Sequence, residues 1–126
     1  MQILRHATLA IIASTLSAGA FAQAWPAKPI RIVVPFPPGG GTDIIARETS
    51  QRVAKATGWT FVIDNKPGAG GNLGVDSVAK SPADGYTLVL GQSSNLAINP
   101  SLYSKLHYDP QKDLAPIVLV ANAPMV

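Results

Sequence analysis

The stretch IRIVVPFPPGGGTDII, residues 30–45, decides the fold class. Its first half is apolar and β-branched, which predicts a buried strand over Ile30–Phe36. The prolines and glycines of Pro37–Gly41 end that strand. A side-chain oxygen of Thr42 or Asp43 is then placed to cap a helix, because it can accept hydrogen bonds from the free amides of the first helical turn.

The alternation of strand and helix patterns continues downstream of this stretch. Apolar residues at helical spacing extend the helix through Thr57, and Gly58 supplies a stop. Strands separated by helices predict an α/β fold with a mostly parallel sheet and helices on both faces. The further predicted segments are a strand at Thr60–Asp64, a loop at Pro67–Gly71, a helix at Asn72–Lys80, a strand at Tyr86–Gly91, a loop with one or two helical turns at Ser93–Leu106, and a fourth buried strand at Ala115–Ala121.

Composition excludes several classes of protein. The chain has 126 residues, a formal net charge of +3, 13% charged residues and no cysteine. That length suits one domain, and the lack of cysteine excludes a disulfide scaffold and any thiolate chemistry. The lysines and arginines are scattered among the acidic residues without a basic stripe, so the sequence does not indicate a nucleic-acid partner.

The first 22 residues have the pattern of a secretory signal. Arg5 precedes the apolar run Ala7–Leu16, and Ala20-Phe21-Ala22 forms an A-x-A cleavage site. We therefore predict cleavage after Ala22, export to the periplasm and a mature domain over residues 23–126. The apolar run is too short to span a bilayer, and no later segment is long enough to do so.

At the carboxyl edge of the sheet, where open parallel sheets bind ligands, we predict that three polar segments meet: the glycine-rich loops Gly39–Asp43 and Pro67–Gly71 and the stretch Gln92–Asn95. The loop Gly39–Asp43 leads into a helix, so its amides and the helix dipole favour an anion, although an ordinary strand-to-helix turn has the same composition. Asp43 either caps that helix or accepts hydrogen bonds from a ligand. The hydroxyls of Ser93 and Ser94 suit a carboxylate.

Motifs for other chemistries are incomplete. The spacing in Gly68–Gly74 is G-x-G-x-x-x-G, which departs from the dinucleotide fingerprint, and no lysine closes a phosphate loop after Gly41. The sequence Gly91–Asn95 is not a nucleophile elbow, and His107 is the one histidine outside the signal. No histidine and carboxylate stand at metal-ligand spacing. We therefore predict no enzyme activity, no cofactor and no metal.

Four motifs resemble the signatures of the tripartite tricarboxylate transporter substrate-binding (Bug) family of bacterial solute receptors. They occur in consistent order between Trp25 and the last residue, and together they are far more specific than one glycine loop. The motifs are Pro35–Asp43 with Ala46-Arg47, Asp64–Gly74, Pro82–Leu88, and Asn99–Tyr103 followed by Tyr108–Pro110 and Asp113–Pro116.

The resemblance implies a periplasmic receptor with a two-lobed fold of the type II periplasmic-binding-protein class. Such receptors bind small organic acids, amino acids or related compounds between their lobes, deliver them to membrane permease subunits and need no cofactor. Family members are at least about twice this length, so we expect residues 23–126 to be a first lobe that is truncated near the crossing to the second. The ligand-binding residues implied are Pro38, Gly39, Gly40, Thr42, Asp43, Gly70, Gly71, Asn72, Ser93 and Ser94.

Two functions therefore remain open at this point. One is capture of a small carboxylate for a tripartite tricarboxylate transporter. The other is a truncated lobe that acts as a folded remnant or interaction module and binds no solute.

Overall fold

The computed structural model describes residues 24–122, so the predicted signal peptide lies outside the described residues. A short 3₁₀ turn at Ala69–Gly71 and a π-helical turn at Ser94–Ile98 accompany the regular elements. The strands are β1 (Ile30–Val34), β2 (Phe61–Asn65) and β3 (Thr87–Val89), and the helices are α1 (Gly41–Thr57), α2 (Asn72–Ala79), α3 (Asn99–Leu102) and α4 (Pro110–Asp113).

The three strands form one parallel sheet in the order β2-β1-β3. Ile30 pairs with Phe61 on one side of β1, and Arg31 pairs with Thr87 on the other. The connections β1–α1–β2 and β2–α2–β3 run in opposite directions across the sheet. Since such crossovers are right-handed, α1 and α2 lie on opposite faces. The predicted α/β class with a parallel sheet is therefore confirmed.

The core is built around the central strand β1. Val33 and Val34 are both 0% exposed, although successive side chains of a strand point to opposite faces. Both faces of the sheet are thus covered. Ala46 of α1 and Val75 of α2 are buried as well, which agrees with one helix packing on each face.

The start of α1 corrects one detail of the prediction. The cap residue is Gly40, in extended conformation, and no side chain caps the helix. Thr42 and Asp43 instead lie inside the first turn, and the Asp43 carboxylate reaches back to accept a hydrogen bond of 2.9 Å from the Gly39 amide. The predicted stop at Gly58 is confirmed by its left-handed conformation and its hydrogen bond to the Ala54 carbonyl.

The predicted fourth strand is wrong. No strand occurs over Ala115–Ala121, and Ile117, Val118 and Leu119 are 74%, 74% and 80% exposed. An apolar run supplies the side chains for a buried strand, but a strand also needs a neighbour that accepts and donates its backbone hydrogen bonds. Within residues 24–122 the sheet has three strands, and this segment pairs with none of them.

Two shorter elements have local causes. One or two helical turns were predicted in the Ser93–Leu106 loop. The structure has two there, the π-helical turn and α3. Helix α4 was not predicted, although its start follows ordinary rules. The Asp109 side chain accepts a hydrogen bond from the Gln111 amide, and Pro110 occupies the first helical position, where its missing N–H costs nothing.

Candidate ligand-binding site

Side-chain hydrogen bonds join the loops that follow the three strands at the carboxyl edge of the sheet. The Gln92 side-chain amide, beyond β3, donates to the Thr42 hydroxyl, beyond β1. Asn65, the last residue of β2, donates from Nδ2 to the Phe36 carbonyl at 3.1 Å and to the Asp43 carboxylate at 3.0 Å. The structure therefore brings together the loops in which the candidate residues lie.

Asp43 is engaged within the protein. Its side chain is 3% exposed and accepts hydrogen bonds from the Gly39 amide and Arg47 Nε, both at 2.9 Å, and from Asn65 Nδ2 at 3.0 Å. These contacts, with the Arg47 guanidinium first, hold the pKa of the Asp43 carboxyl well below its usual range. The carboxylate thus fixes the shape of the loop before α1 and carries a charge that Arg47 balances.

The first turn of α1 offers unpaired donors. In the described part of the chain, no group accepts a hydrogen bond from the backbone amides of Gly40, Gly41 or Thr42. Pro38, Gly39 and Gly40 are exposed. The helix is 17 residues long, and the free amides at its N-terminus carry partial positive charge. This end of α1 is therefore suited to an anionic group.

The second set of donors lies in the serine turn, which we define as Gln92–Asn95. Ser93 is exposed and Ser94 is half-buried, and neither hydroxyl forms a hydrogen bond with another described residue. The turn is closed by Asn95, whose Oδ1 accepts a hydrogen bond of 2.9 Å from the Gln92 amide. Because the Gln92 side chain also contacts Thr42, the serine turn is tied at its first residue to the start of α1.

The glycine loop, Lys66–Gly71, offers fewer exposed candidate residues than the loop before α1. Gly70 is exposed, whereas Gly71 and Asn72 are buried. The Asn72 Oδ1 accepts hydrogen bonds from Asn99 Nδ2 at 2.6 Å and from the Tyr108 hydroxyl at 2.9 Å. Gly71 and Asn72 thus lie inside the structure that supports the edge, and Gly70 is the candidate of this loop that faces outward.

Four residues of this edge were not assigned a role from the sequence: Asn65, Gln92, Asn95 and Tyr108. Asn65 and Gln92 carried a usable signal, since each follows or ends a strand at the carboxyl edge. Asn95 was predicted at this edge only as part of the polar stretch Gln92–Asn95. Tyr108 carried no signal, because its importance rests on a contact across 13 residues of sequence and on burial.

A family model described as tripartite tricarboxylate transporter family receptor matches residues 45–126. The chain belongs to this family. The family consists of transporter receptors and not of enzymes, which confirms both the resemblance and the prediction that the chain is not an enzyme.

Curated relatives support the same assignment. The receptor chain is 43% identical to Protein BugT of Bordetella pertussis over 117 residues, which cover 92% of this chain and 36% of the relative. It is 42% identical to a protein of a Pseudomonas species over 104 residues, which cover 82% and 31%. The receptor chain thus spans about a third of the length of the curated relatives that it matches.

Solved structures also support this assignment. A Rhodopseudomonas palustris protein, MatC with bound malate, is 38% identical with a TM-score of 0.73, covering 76% of the receptor chain and 33% of its own. A second R. palustris protein, solved with adipate, is 44% identical with a TM-score of 0.66, covering 69% and 29%. Another match is BugD, described as a periplasmic binding protein, with 38% identity and a TM-score of 0.67 over 71% and 29%.

Among residues 24–122, none of the helices combines the length and the apolar character that crossing a bilayer requires.

Proposed function

We propose that this chain supplies one carboxylate-binding edge of a periplasmic solute receptor. The observation that carries the proposal is the set of unpaired donors at one place: the amides of Gly40, Gly41 and Thr42 beside the hydroxyls of Ser93 and Ser94. Relatives solved with malate and with adipate support a small organic acid as the ligand.

The electrostatics of the edge favour a carboxylate over a neutral group. Backbone amides and serine hydroxyls donate hydrogen bonds, and such bonds to an ionised acceptor are roughly twice as strong as neutral ones. The acidic side chain within the first turn of α1, Asp43, is paired with Arg47 and accepts hydrogen bonds from internal donors. A bound anion therefore meets partial positive charge at the end of α1 and little opposing negative charge.

The family suggests a wider role for the chain in transport. We propose that residues 1–22 direct export and are removed after Ala22, and that the receptor delivers its ligand to permease subunits of a tripartite tricarboxylate transporter. Residues 23–126 then act as the first lobe of a two-lobed fold. Since closure of two lobes is what buries a ligand in such receptors, we expect this chain alone to bind acids weakly.

The test is an NMR titration of the uniformly ¹⁵N-labelled full chain with malate and with adipate, up to millimolar concentration. We expect the amide signals of Gly40, Gly41 and Thr42 to shift in a saturable way with at least one acid. Adipamide, which has the length of adipate without its charge, is the matched control ligand and should leave these signals unchanged.

A pair of variants completes the design. Replacing both Ser93 and Ser94 with alanine should weaken the response to the acid, because it removes two donors beside α1. Thr60→Ala, which removes an exposed hydroxyl before β2 at the opposite edge, should leave the response unchanged. Equal shifts with adipamide and adipate, or no saturable shift with any acid, would contradict carboxylate binding.

One observation favours the second candidate, a folded or interacting lobe that binds no solute. The apolar side chains of Ile117, Val118 and Leu119 are largely exposed, and such a run can associate with another chain. Sedimentation of the full chain distinguishes the two candidates. Strong self-association without any response to acids would favour the interaction module.

A further inference from the structure

We propose that Tyr108 is a positioning residue for the carboxylate site. Its buried hydroxyl holds the serine turn against the start of α2 and so sets the positions of the Ser93 and Ser94 hydroxyls. This inference rests on the proposed function and deepens it, since it names the residue that fixes the second set of donors.

The contacts of Tyr108 are internal and long-range. Its side chain is 5% exposed, and its hydroxyl lies 2.6 Å from the Asn95 carbonyl oxygen and 2.9 Å from the Asn72 Oδ1. Those partners are 13 and 36 residues away in the sequence. The single hydroxyl hydrogen is thus shared between two acceptors, one in the serine turn that follows β3 and one on the first residue of α2.

Asn95 transmits this hold to the serines. It is fully buried, its carbonyl contacts Tyr108, and its Oδ1 closes the turn by accepting from the Gln92 amide. Ser93 and Ser94 lie between these two fixed residues. A shift of Asn95 would therefore carry the backbone of Ser93 and Ser94 with it.

The other side of the contact is equally fixed. Asn72 also accepts from Asn99 Nδ2, and Gly71, just before it, has a positive φ of 89°. A Cβ built on Gly71 would lie 2.5 Å from Asn95 Nδ2, so the glycine is what permits the serine turn to approach α2. The two segments touch without space for adjustment.

The position of the Asn95 side chain leaves one of its own hydrogen-bonding groups without a partner among the described residues. Asn95 Nδ2 is buried and has no hydrogen-bond partner among the described residues. Leaving a buried donor unpaired costs free energy, whereas an apolar side chain at this position would avoid the cost. What the asparagine provides in return is the bond to the Gln92 amide, which fixes the turn.

The test compares Tyr108→Phe with Tyr86→Phe in the NMR titration with the acid that gives the larger response. Each substitution removes one buried or half-buried phenol hydroxyl that makes a hydrogen bond. Tyr86, however, bonds the Ala27 amide at the opposite edge of the sheet. All titrations are done well below the unfolding temperature of every variant, so that loss of stability alone cannot change the dissociation constant.

We expect Tyr108→Phe to raise the dissociation constant by roughly three- to tenfold, the equivalent of one hydrogen bond, and Tyr86→Phe to leave it unchanged. The effect should largely vanish when both Ser93 and Ser94 are replaced with alanine, because Tyr108 acts through the serine turn. If Tyr108→Phe does not fold, Asn99→Ala, which weakens the same contact from the Asn72 side, is expected to give a smaller loss in the same direction.

The outcomes separate the two proposals. No response of the unsubstituted chain to any acid rejects the proposed function and this inference with it. A response that Tyr108→Phe and Tyr86→Phe leave equally strong rejects the inference alone. The inference is also overturned if Tyr108→Phe weakens binding by the same factor with and without the Ser93 and Ser94 hydroxyls.

Discussion

Two glycine-rich loops lie at the same edge of the sheet, and each leads into a helix. Their glycines, however, have different structural roles. A Cβ built on Gly39 or Gly41 meets no atom within 4 Å. A Cβ built on Gly71 in the second loop would meet an atom at 2.5 Å, and one built on Gly74 in the helix that follows would meet an atom at 2.6 Å. The first loop uses glycine to leave backbone amides uncovered, and the second uses it to let two segments touch. Composition alone does not distinguish these uses.

The largest expected effect comes from Gly74→Ala. The new methyl group would lie 2.8 Å from the Pro35 Cα and from the Lys66 carbonyl oxygen, which are backbone atoms and cannot turn aside. We expect a loss of about 3 kcal/mol in the free energy of unfolding, at the upper end of overpacking costs. Urea unfolding followed by the fluorescence of Trp25 and Trp59 measures it, and a loss under about 1 kcal/mol would contradict the close packing of α2 on β1.

Gly71→Ala comes next. Its positive φ strains any other residue, and the methyl group would push the Asn95 side chain away from its bond to the Gln92 amide. We expect a loss of about 2 kcal/mol, combining backbone strain and displaced packing. Gly70→Ala is the matched control, because Gly70 also has a positive φ but the methyl group would meet Tyr103 only at 3.5 Å. Equal losses for the two variants would mean that strain alone matters.

The charge that shapes the first loop is tested by Asp43→Asn. The folded-state pKa of Asp43 lies below its ordinary value of 3.8, so its contribution to stability is present above that pH and is lost as the pH falls further. We expect the variant to be less stable than the parent near neutral pH and the difference to shrink in acid below pH 3.8. Melting temperatures between neutral and acidic pH measure this.

The control for this experiment is Glu48→Gln. Glu48 forms an exposed pair with Arg52 at 3.9 Å, and pairs of this kind contribute little. The Glu48→Gln variant should therefore show the same pH dependence of the melting temperature as the parent protein. Asp84 and Asp109 also have lowered pKa values, through bonds to the Tyr86 amide and to Lys112, and they account for acid sensitivity that remains in Asp43→Asn.

The smallest effect, and one of opposite sign, belongs to Gly41→Ala. Gly41 is the first residue of α1, its φ is not positive, and a methyl group there meets nothing. Replacing a helical glycine with alanine restricts the unfolded chain, so we expect a gain of about 0.5 kcal/mol in urea unfolding. A loss instead would show that the first loop is packed as closely as the second.

The sequence predicted those parts of the molecule that depend on neighbours along the chain. The strand at Ile30, the helix through Thr57 and the helix from Asn72 were predicted because apolar spacing and glycine or proline stops are local signals. The strand at Ala115–Ala121 failed because pairing depends on a partner elsewhere. The same limit applied to the site, where the role of Asp43 depends on Asn65, 22 residues away.

The position of β1 in the sheet has a consequence for the order in which the fold can form. This strand leaves the ribosome first, yet it lies in the middle, between β2 and β3. Its second edge waits for Thr87–Val89, so the sheet cannot be completed from its N-terminal part while synthesis continues. The first edge of β1 can pair with β2 as soon as Phe61–Asn65 is available, whereas the sheet is complete only when β3 joins the second edge.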